Sequence, residues 1–298
     1  MELKFERLNK YFGTFHVLKD IDFEVKSNRI FGFLGRNGAG KTTSIRILMD
    51  VFKTDSGVIT LYDKTFNPED YKIGYLPEER GMYGKSLVKD QLVYFAMLRG
   101  ANKSEAIESV NYWAKRFDVE HYLDKKLETL SKGNQQKIQI TQAFLNEPDI
   151  LILDEPFSGL DPVNSQLFQD ALLEYKNEDR LIIFSSHQMS YVETFCDDIA
   201  IIDHGEIVLK GTLDTIKDEM GGNKLRIISS DSKLDQFLDS SDFDVERKQN
   251  AYIVGLNSNM TQQDFMHQLV QQNIEIELLS KYRPSLHDIF VAQVGETK

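Results

Sequence analysis

The sequence predicts an α/β fold: a mixed sheet covered by helices and carrying a helical subdomain, followed by a small α+β unit. Three observations lead there. The stretch FGFLGRNGAGKTT, Phe31 to Thr43, sets a glycine-rich loop between an apolar β-type run and a segment of helical spacing. Two later runs, DILILDEP and RLIIFSSH, are apolar on both faces and end in polar residues, the mark of buried parallel strands with their chemistry at the carboxyl ends. After Gly221 and Gly222 the pattern restarts with new periods, which predicts a domain boundary.

Taken in order, LKFERL, LKDIDFEV and RIFGFL read as strands, the second with alternating Ile21, Phe23 and Val25. From Thr42 the positions Ile45, Leu48, Met49 and Phe52 have helical spacing, so the glycine loop lies where a strand becomes a helix. GVITLY and KIGYLP are further strands. A helical subdomain is expected over about 86–145, with Leu92, Phe95 and Leu98, then Val110, Trp113 and Phe117 at steps of three and four, broken near Gly100. Trp113 reads as its core. DIAIIDHGEIVLKG is a hairpin turning at His204 and Gly205. The boundary is placed between a first domain, 1–220, and a second, 223–298. The second reads strand, helix, strand pair, helix, strand and closing helix, a βαββαβ ferredoxin-like unit with no visible ligand constellation.

Composition sets the limits. The 298 residues, 41% hydrophobic, suffice for one large domain and a small one. A net charge of −12 without any basic block argues against a nucleic-acid partner. Apolar runs such as Leu181 to Phe184 fall far short of the roughly 20 residues of a membrane helix, so a soluble chain is expected, reaching any membrane through a partner. The lone cysteine, Cys196, reads as a packed residue and suits a reducing cytoplasm.

The loop fits G-x-x-x-x-G-K-[ST] at Gly35, Gly40, Lys41 and Thr42. Backbone N–H groups close around phosphate oxygens, the helix presents its positive end, Lys41 reaches the β and γ oxygens, and the Thr42 hydroxyl takes a place on Mg²⁺. A cradle of this kind requires a metal ligand and a group to activate water. Asp154 and Glu155, at the end of ILILDE, supply both: the first for Mg²⁺, the second as proton acceptor from the attacking water. Adjacent carboxylates at a strand end can merely cap a helix, and it is the pairing with the loop that decides for catalysis. His187, ending FSSH on a neighbouring strand, can reach the γ-phosphate and the water. His16, His121, His267 and His287 have no such company and receive no role.

LSKGNQQK, Leu130 to Lys137, stands just before a helix and forms a second anion site, with Ser131 as hydroxyl donor beside the Gly133 N–H. Two phosphate-facing surfaces in one chain are redundant within a single subunit. Facing different subunits, they make ATP the glue of a head-to-tail pair.

These motifs, in this order, resemble the ATP-binding cassette subunit of an ABC transporter over roughly Met1 to Glu219. The resemblance implies a P-loop cassette fold and ATP hydrolysis coupled to transport. It makes GRNGAGKTT the Walker A loop, so that Gly35, Asn37, Gly38, Ala39, Gly40, Lys41, Thr42 and Thr43 hold the nucleotide. LSKGNQQ becomes the signature, with Ser131 and Gly133 toward phosphate, ILILDE the Walker B strand, SGLD with Asp161 the D-loop, and His187 the switch histidine. It also implies a sandwich of two cassettes around two ATP molecules, and a separate membrane permease that holds the ATPase on the cytoplasmic face. The adenine-stacking aromatic falls in KYFG, where Tyr11 and Phe12 both qualify and Phe12, next to Gly13, is preferred. Where the family carries glutamine after GYLP, this chain has Glu78, still able to ligate Mg²⁺. Lys132 and Asn134 replace the commoner glycine and glutamine of the signature.

At a finer level GYLPEERGMY, FSGLDPVN and the ending RPSLHDIFVAQVGE resemble ATPase subunits of exporters that move drugs, antibiotic peptides or sodium ions. An importer ATPase, or a soluble ABC ATPase acting on ribosomes, DNA ends or iron–sulfur assembly, is the alternative. Against the soluble class, the chain has one cassette and no long coiled-coil insertion between Walker A and the signature. Cargo, and whether the second cassette is identical, are left open.

Overall fold

The computed structural model describes residues 1–78, 81–248, 250–257 and 260–295. The chain opens with a hairpin of β1 (Glu2–Phe12) and β2 (Phe15–Lys26), which closes where Phe12 faces Phe15. Leu3, Phe5 and Leu8 on one strand and Ile21, Phe23 and Val25 on the other are all buried. The period of two is interrupted between Phe5 and Leu8 by a register shift, which keeps Leu8 on the buried face. Next come β3 (Ile30–Leu34), the loop 35–40 and α1 (Lys41–Leu48). Strands β4 (Ser56–Leu61) and β5 (Lys64–Thr65) return to the hairpin and complete an antiparallel sheet in the order β2-β1-β4-β5.

A second sheet carries the site. Strand β6 (Ile73–Leu76) is followed by helices α2 (Val88–Leu98), α3 (Lys103–Arg116) and α4 (Lys132–Phe144). The chain continues through β7 (Ile150–Asp154), α5 (Pro162–Tyr175), β8 (Leu181–Ser186), α6 (Met189–Phe195), β9 (Asp198–Asp203) and β10 (Glu206–Thr212). The strand order is β10-β9-β3-β8-β7-β6, parallel except for β10. Every residue of β3, β7 and β8 is buried, as expected of strands covered on both faces. The core between the sheets runs from Phe5 and Phe23 through Phe31 and Phe33 to Ile152, Ile183 and Ile202, with Ile45 and Leu48 of α1 packed into it.

The three helices α2 to α4 are held by local chemistry and by an aromatic cluster. Gly100, at φ +92°, ends the turn after α2, and Asn102 with Glu105 forms a reciprocal capping box that starts α3. Trp113 is a core residue: its ring centroid lies 4.7 Å from Phe144, 5.7 Å from Phe117 and 5.7 Å from Tyr175. Strand β6 approaches α4 so closely that a Cβ on Gly74 would sit 2.1 Å from the Ala143 carbonyl oxygen. Gly74→Ala must therefore push β6 off the helix, and we expect a loss of about 2 kcal/mol, read as a lowered midpoint of urea unfolding. An unchanged midpoint would contradict this packing.

The chain divides into Met1–Leu213 and Asp214–Glu296, seven residues before the expected boundary at Gly221 and Gly222. Helix α7 (Leu213–Gly221) begins the second unit because Arg283 reaches Asp214 at 3.2 Å and Asp218 at 2.7 Å. The unit continues with β11 (Lys224–Ile228), α8 (Lys233–Asp239), β12 (Asp244–Lys248), β13 (Ala251–Gly255), α9 (Gln262–Gln271), β14 (Leu278–Lys281) and α10 (Leu286–Val294). Its strands form an antiparallel sheet, β12-β13-β11-β14, the ferredoxin-like order expected from βαββαβ. Leu225, Ile227 and Val254 of the sheet pack against Leu234 and Leu238 of α8 and Phe265 and Leu269 of α9. Gln249, 258–259 and 296–298, within the predicted second domain, lie outside the described residues, as do Glu79 and Arg80 of GYLPEERGMY.

Candidate functional site

Strands β3, β8, β7 and β6 are parallel neighbours, so their carboxyl ends share one edge of the sheet. After β3 comes the loop 35–40; β7 ends at Asp154, with Glu155 next; His187 follows β8, and Glu78 lies two residues past β6. A pocket of about 230 Å³ is lined by Arg36, Asn37, Gly38, Gly40, Lys41, Thr42, Thr43, Glu78, Asp154 and Glu155. Of the predicted Walker A residues, Gly35 and Ala39 are not part of this lining: an added Cβ on Gly35 would meet the Ile202 carbonyl oxygen at 2.4 Å, and Ala39 is buried.

The loop leaves the amino end of α1 open for an anion. Gly40, at φ +118°, takes the N-cap position, so no side chain accepts from the first amides, and no acidic residue occupies the first turn. The Lys41 ammonium folds back over its own loop, donating to the carbonyls of Gly35 at 2.7 Å and Arg36 at 3.3 Å. Burial pulls its pKa below the ordinary lysine range, opposed by the charges of Glu155, Asp154 and Glu78.

Asp154 is buried at the floor. Its Oδ2 accepts from the Thr42 hydroxyl at 3.3 Å and its Oδ1 from the Ser185 hydroxyl. Burial raises its pKa, the Ser185 hydrogen bond opposes the rise, and the charge of Glu78 adds to it. Glu155, at φ 50°, sits in the left-handed region uncommon for a side-chain-bearing residue. Three bonds hold its carboxylate: Oε1 accepts from the His187 backbone N–H at 2.8 Å and meets His187 Nδ1 at 2.7 Å, and Oε2 accepts from the Ser186 hydroxyl at 3.1 Å. Glu155 is 6% exposed and His187 52%, so the imidazole bridges a buried carboxylate and open solvent.

The remaining predicted residues stand apart from this pocket's lining. Ser131 is the N-cap of α4 and accepts from the Asn134 N–H at 3.3 Å. Gly133 faces the segment before α5, where an added Cβ would lie 3.1 Å from the Gly159 carbonyl oxygen. Asp161 caps α5, accepting from the Asn164 N–H at 2.9 Å and side chain at 2.7 Å, and the backbone bond leads in holding its pKa low. Tyr11 stacks on His16 with centroids 3.9 Å apart, while Phe12 meets Phe52 edge-on at 5.3 Å; both rings are about half exposed. His204 takes the hairpin turn at φ 47°, and Cys196 is buried, with burial pushing its thiol pKa well up.

Sequence reasoning missed Ser185 and Ser186, whose hydroxyls orient the two carboxylates. The signal was their place at the end of an apolar strand paired with ILILD. It also missed Arg36 in the lining and Gln136, whose buried amide donates to the Pro156 carbonyl at 2.9 Å and ties α4 to the chain beyond Glu155. Among the described residues no group of three or more His, Cys, Asp or Glu forms a metal cage. What is present, a buried carboxylate beside a threonine hydroxyl, fits a hard cation such as Mg²⁺ that keeps waters and takes further oxygens from a phosphate.

Residues 18–158 match the ABC transporter family, and residues 211–294 the C-terminal domain of DrrA1-3-like ATP-binding proteins. The uncharacterised ABC transporter ATP-binding protein YhaQ of Bacillus subtilis is 41% identical over 98% of this chain and 98% of its own length. The bacitracin transport ATP-binding protein BcrA of Bacillus licheniformis is 31% identical over 98% of this chain and 97% of its own. A solved ATP-binding subunit of an ABC transporter superposes with a TM-score of 0.68 at 29% identity, covering 80% of this chain and 99% of that one. Matched from end to end by such relatives, the chain belongs to the ATP-binding proteins of ABC transporters, ATPases that work with membrane permeases and pair with a second cassette.

Proposed function

We propose that the chain is the ATPase subunit of an exporter, hydrolysing ATP at a site completed by a second cassette and driving a drug, peptide or ion through a separate permease on the cytoplasmic face of the membrane. The observation that carries the shared site is the separation of two anion-facing ends: the pocket at α1 has no contribution from Ser131 or Gly133. Export is supported by the relative named for bacitracin transport and by the DrrA1-3-like C-terminal unit. Among the described residues no helix is long and apolar enough to cross a membrane, in keeping with a separate permease.

In this reading the amides of 37–43 and the Lys41 ammonium, swung from its loop carbonyls, bind the triphosphate, and Phe12 stacks on adenine. Thr42, Asp154 and Glu78 would hold Mg²⁺, which supplies charge neutralisation at the phosphates. Glu155 takes the proton of the attacking water, and His187 holds that carboxylate while its exposed edge reaches toward the γ-phosphate. The partner cassette brings its Ser131 and Gly133 to the same phosphates, and Asp161 lies beside that junction. Pairing then depends on nucleotide, and hydrolysis releases it.

Purification from native membranes, with identification of the bound integral protein, tests this reading. A permease of exporter type is the expected result; a solute-binding importer complex, or recovery only with ribosomes, would reject it. Tyr94 and Leu98, one turn apart and both exposed on α2, offer an apolar contact for that partner. Changing both to glutamate is expected to cut co-purified permease about tenfold while ATP binding by the isolated chain stays the same.

A further inference from the structure

Among the described residues, the lining of the nucleotide pocket holds one carboxylate more than its cations balance, with Arg36 and Lys41 set against Glu78, Asp154 and Glu155. Two of these acids are occupied. Asp154 is bound by Thr42 and Ser185, and Glu155 by Ser186 and His187. Glu78 differs. It is exposed, and among the described residues no hydrogen bond or ion pair engages it. Its charge nevertheless reaches the pocket, where it acts on both Asp154 and Lys41.

A triphosphate entering without metal brings several negative charges to this free carboxylate, and the two repel. A divalent cation riding on the phosphates reverses the sign, because a hard carboxylate oxygen beside it is then favourable. An amide at this position would lack the repulsion and, being neutral, would draw the cation more weakly. We propose that Glu78 makes the pocket select the metal complex of a nucleoside triphosphate and reject the metal-free nucleotide. Lys41 alone cannot impose this selection, since its charge attracts both forms. The inference rests on the nucleotide-site reading above and deepens it.

The test is a titration of the full-length protein with a fluorescent ATP analogue, once with excess Mg²⁺ and once with EDTA, for the native chain, Glu78→Gln and Glu78→Asp. Glu78→Gln is expected to bind the metal-free analogue about tenfold more tightly than the native chain, and the Mg²⁺ complex equally or more weakly, so the ratio of the two dissociation constants contracts about tenfold. Glu78→Asp keeps the charge and should keep the native ratio. A native ratio in Glu78→Gln, or a contraction equally large in Glu78→Asp, overturns the proposal. Absence of binding by all three proteins in both conditions overturns the nucleotide-site reading itself, and this inference with it.

Discussion

Replacing Glu155 with glutamine is expected to slow ATP hydrolysis by roughly 100- to 10,000-fold while ATP binding is kept, the loss typical of removing a general base. The amide is isosteric and still accepts from the His187 N–H that now reaches Oε1, so the backbone at φ 50° has no cause to move. What it cannot do is take a proton from water. With hydrolysis stalled, Mg²⁺ and ATP should hold two chains together, and light scattering should give twice the monomer mass. Phosphate release near the native rate would remove Glu155 from the role of base. A stalled enzyme that stays single both in solution and with its permease would instead remove the nucleotide-held pair.

The second large effect belongs to the other anion site. Ser131→Arg should abolish turnover, with a loss of at least about 100-fold, yet leave nucleotide binding by the isolated chain unchanged. Loss of the cap on α4 costs about 1 kcal/mol, small beside the roughly 5–15 kcal/mol of a folded domain, so thermal unfolding should move by only a few degrees. The expected damage is steric, since a long side chain would fill the space at the helix tip that, in the shared-site reading, the partner's triphosphate enters. Full activity in this variant would defeat the shared site, and loss of binding by the single chain would mean that Ser131 serves its own pocket.

Much of this arrangement was legible because the informative residues are neighbours in sequence. The glycine loop needs only short spacing between a strand and a helix, and the structure places it there. Glu155 and His187 were a harder inference, since they meet only if β7 and β8 are parallel and adjacent; the doubly apolar runs supplied that premise. Ser185 and Ser186 escaped notice because a hydroxyl at a strand end looks the same whether it orients a carboxylate or faces water. Helix α5 was not foreseen, although Asp161 followed by Pro162 is a clear start signal and Phe168, Leu172 and Tyr175 have helical spacing. Two glycines look like a hinge and set the expected boundary there, whereas the division falls after Leu213, since Arg283, some sixty residues later in the chain, pairs with Asp214 and Asp218 of α7. Tyr11 and Phe12 are equally exposed aromatics, so burial does not rank them, and the preference for Phe12 rests on its place beside Gly13.

Helix α4 is tied to the stretch beyond Glu155 by the Gln136 amide on the Pro156 carbonyl, and Gly133 lies near enough to Gly159 that an added Cβ would come within 3.1 Å of its carbonyl oxygen. That hydrogen bond joins the two segments directly. On the shared-site reading, a visitor that presses on the tip of α4 is expected to tug the same chain's own 156–161 segment, which begins next to the proposed proton acceptor. In the shared-site reading, the fuel bound by one partner is then felt at the spark of the other, and the pair is expected to fire in concert instead of singly.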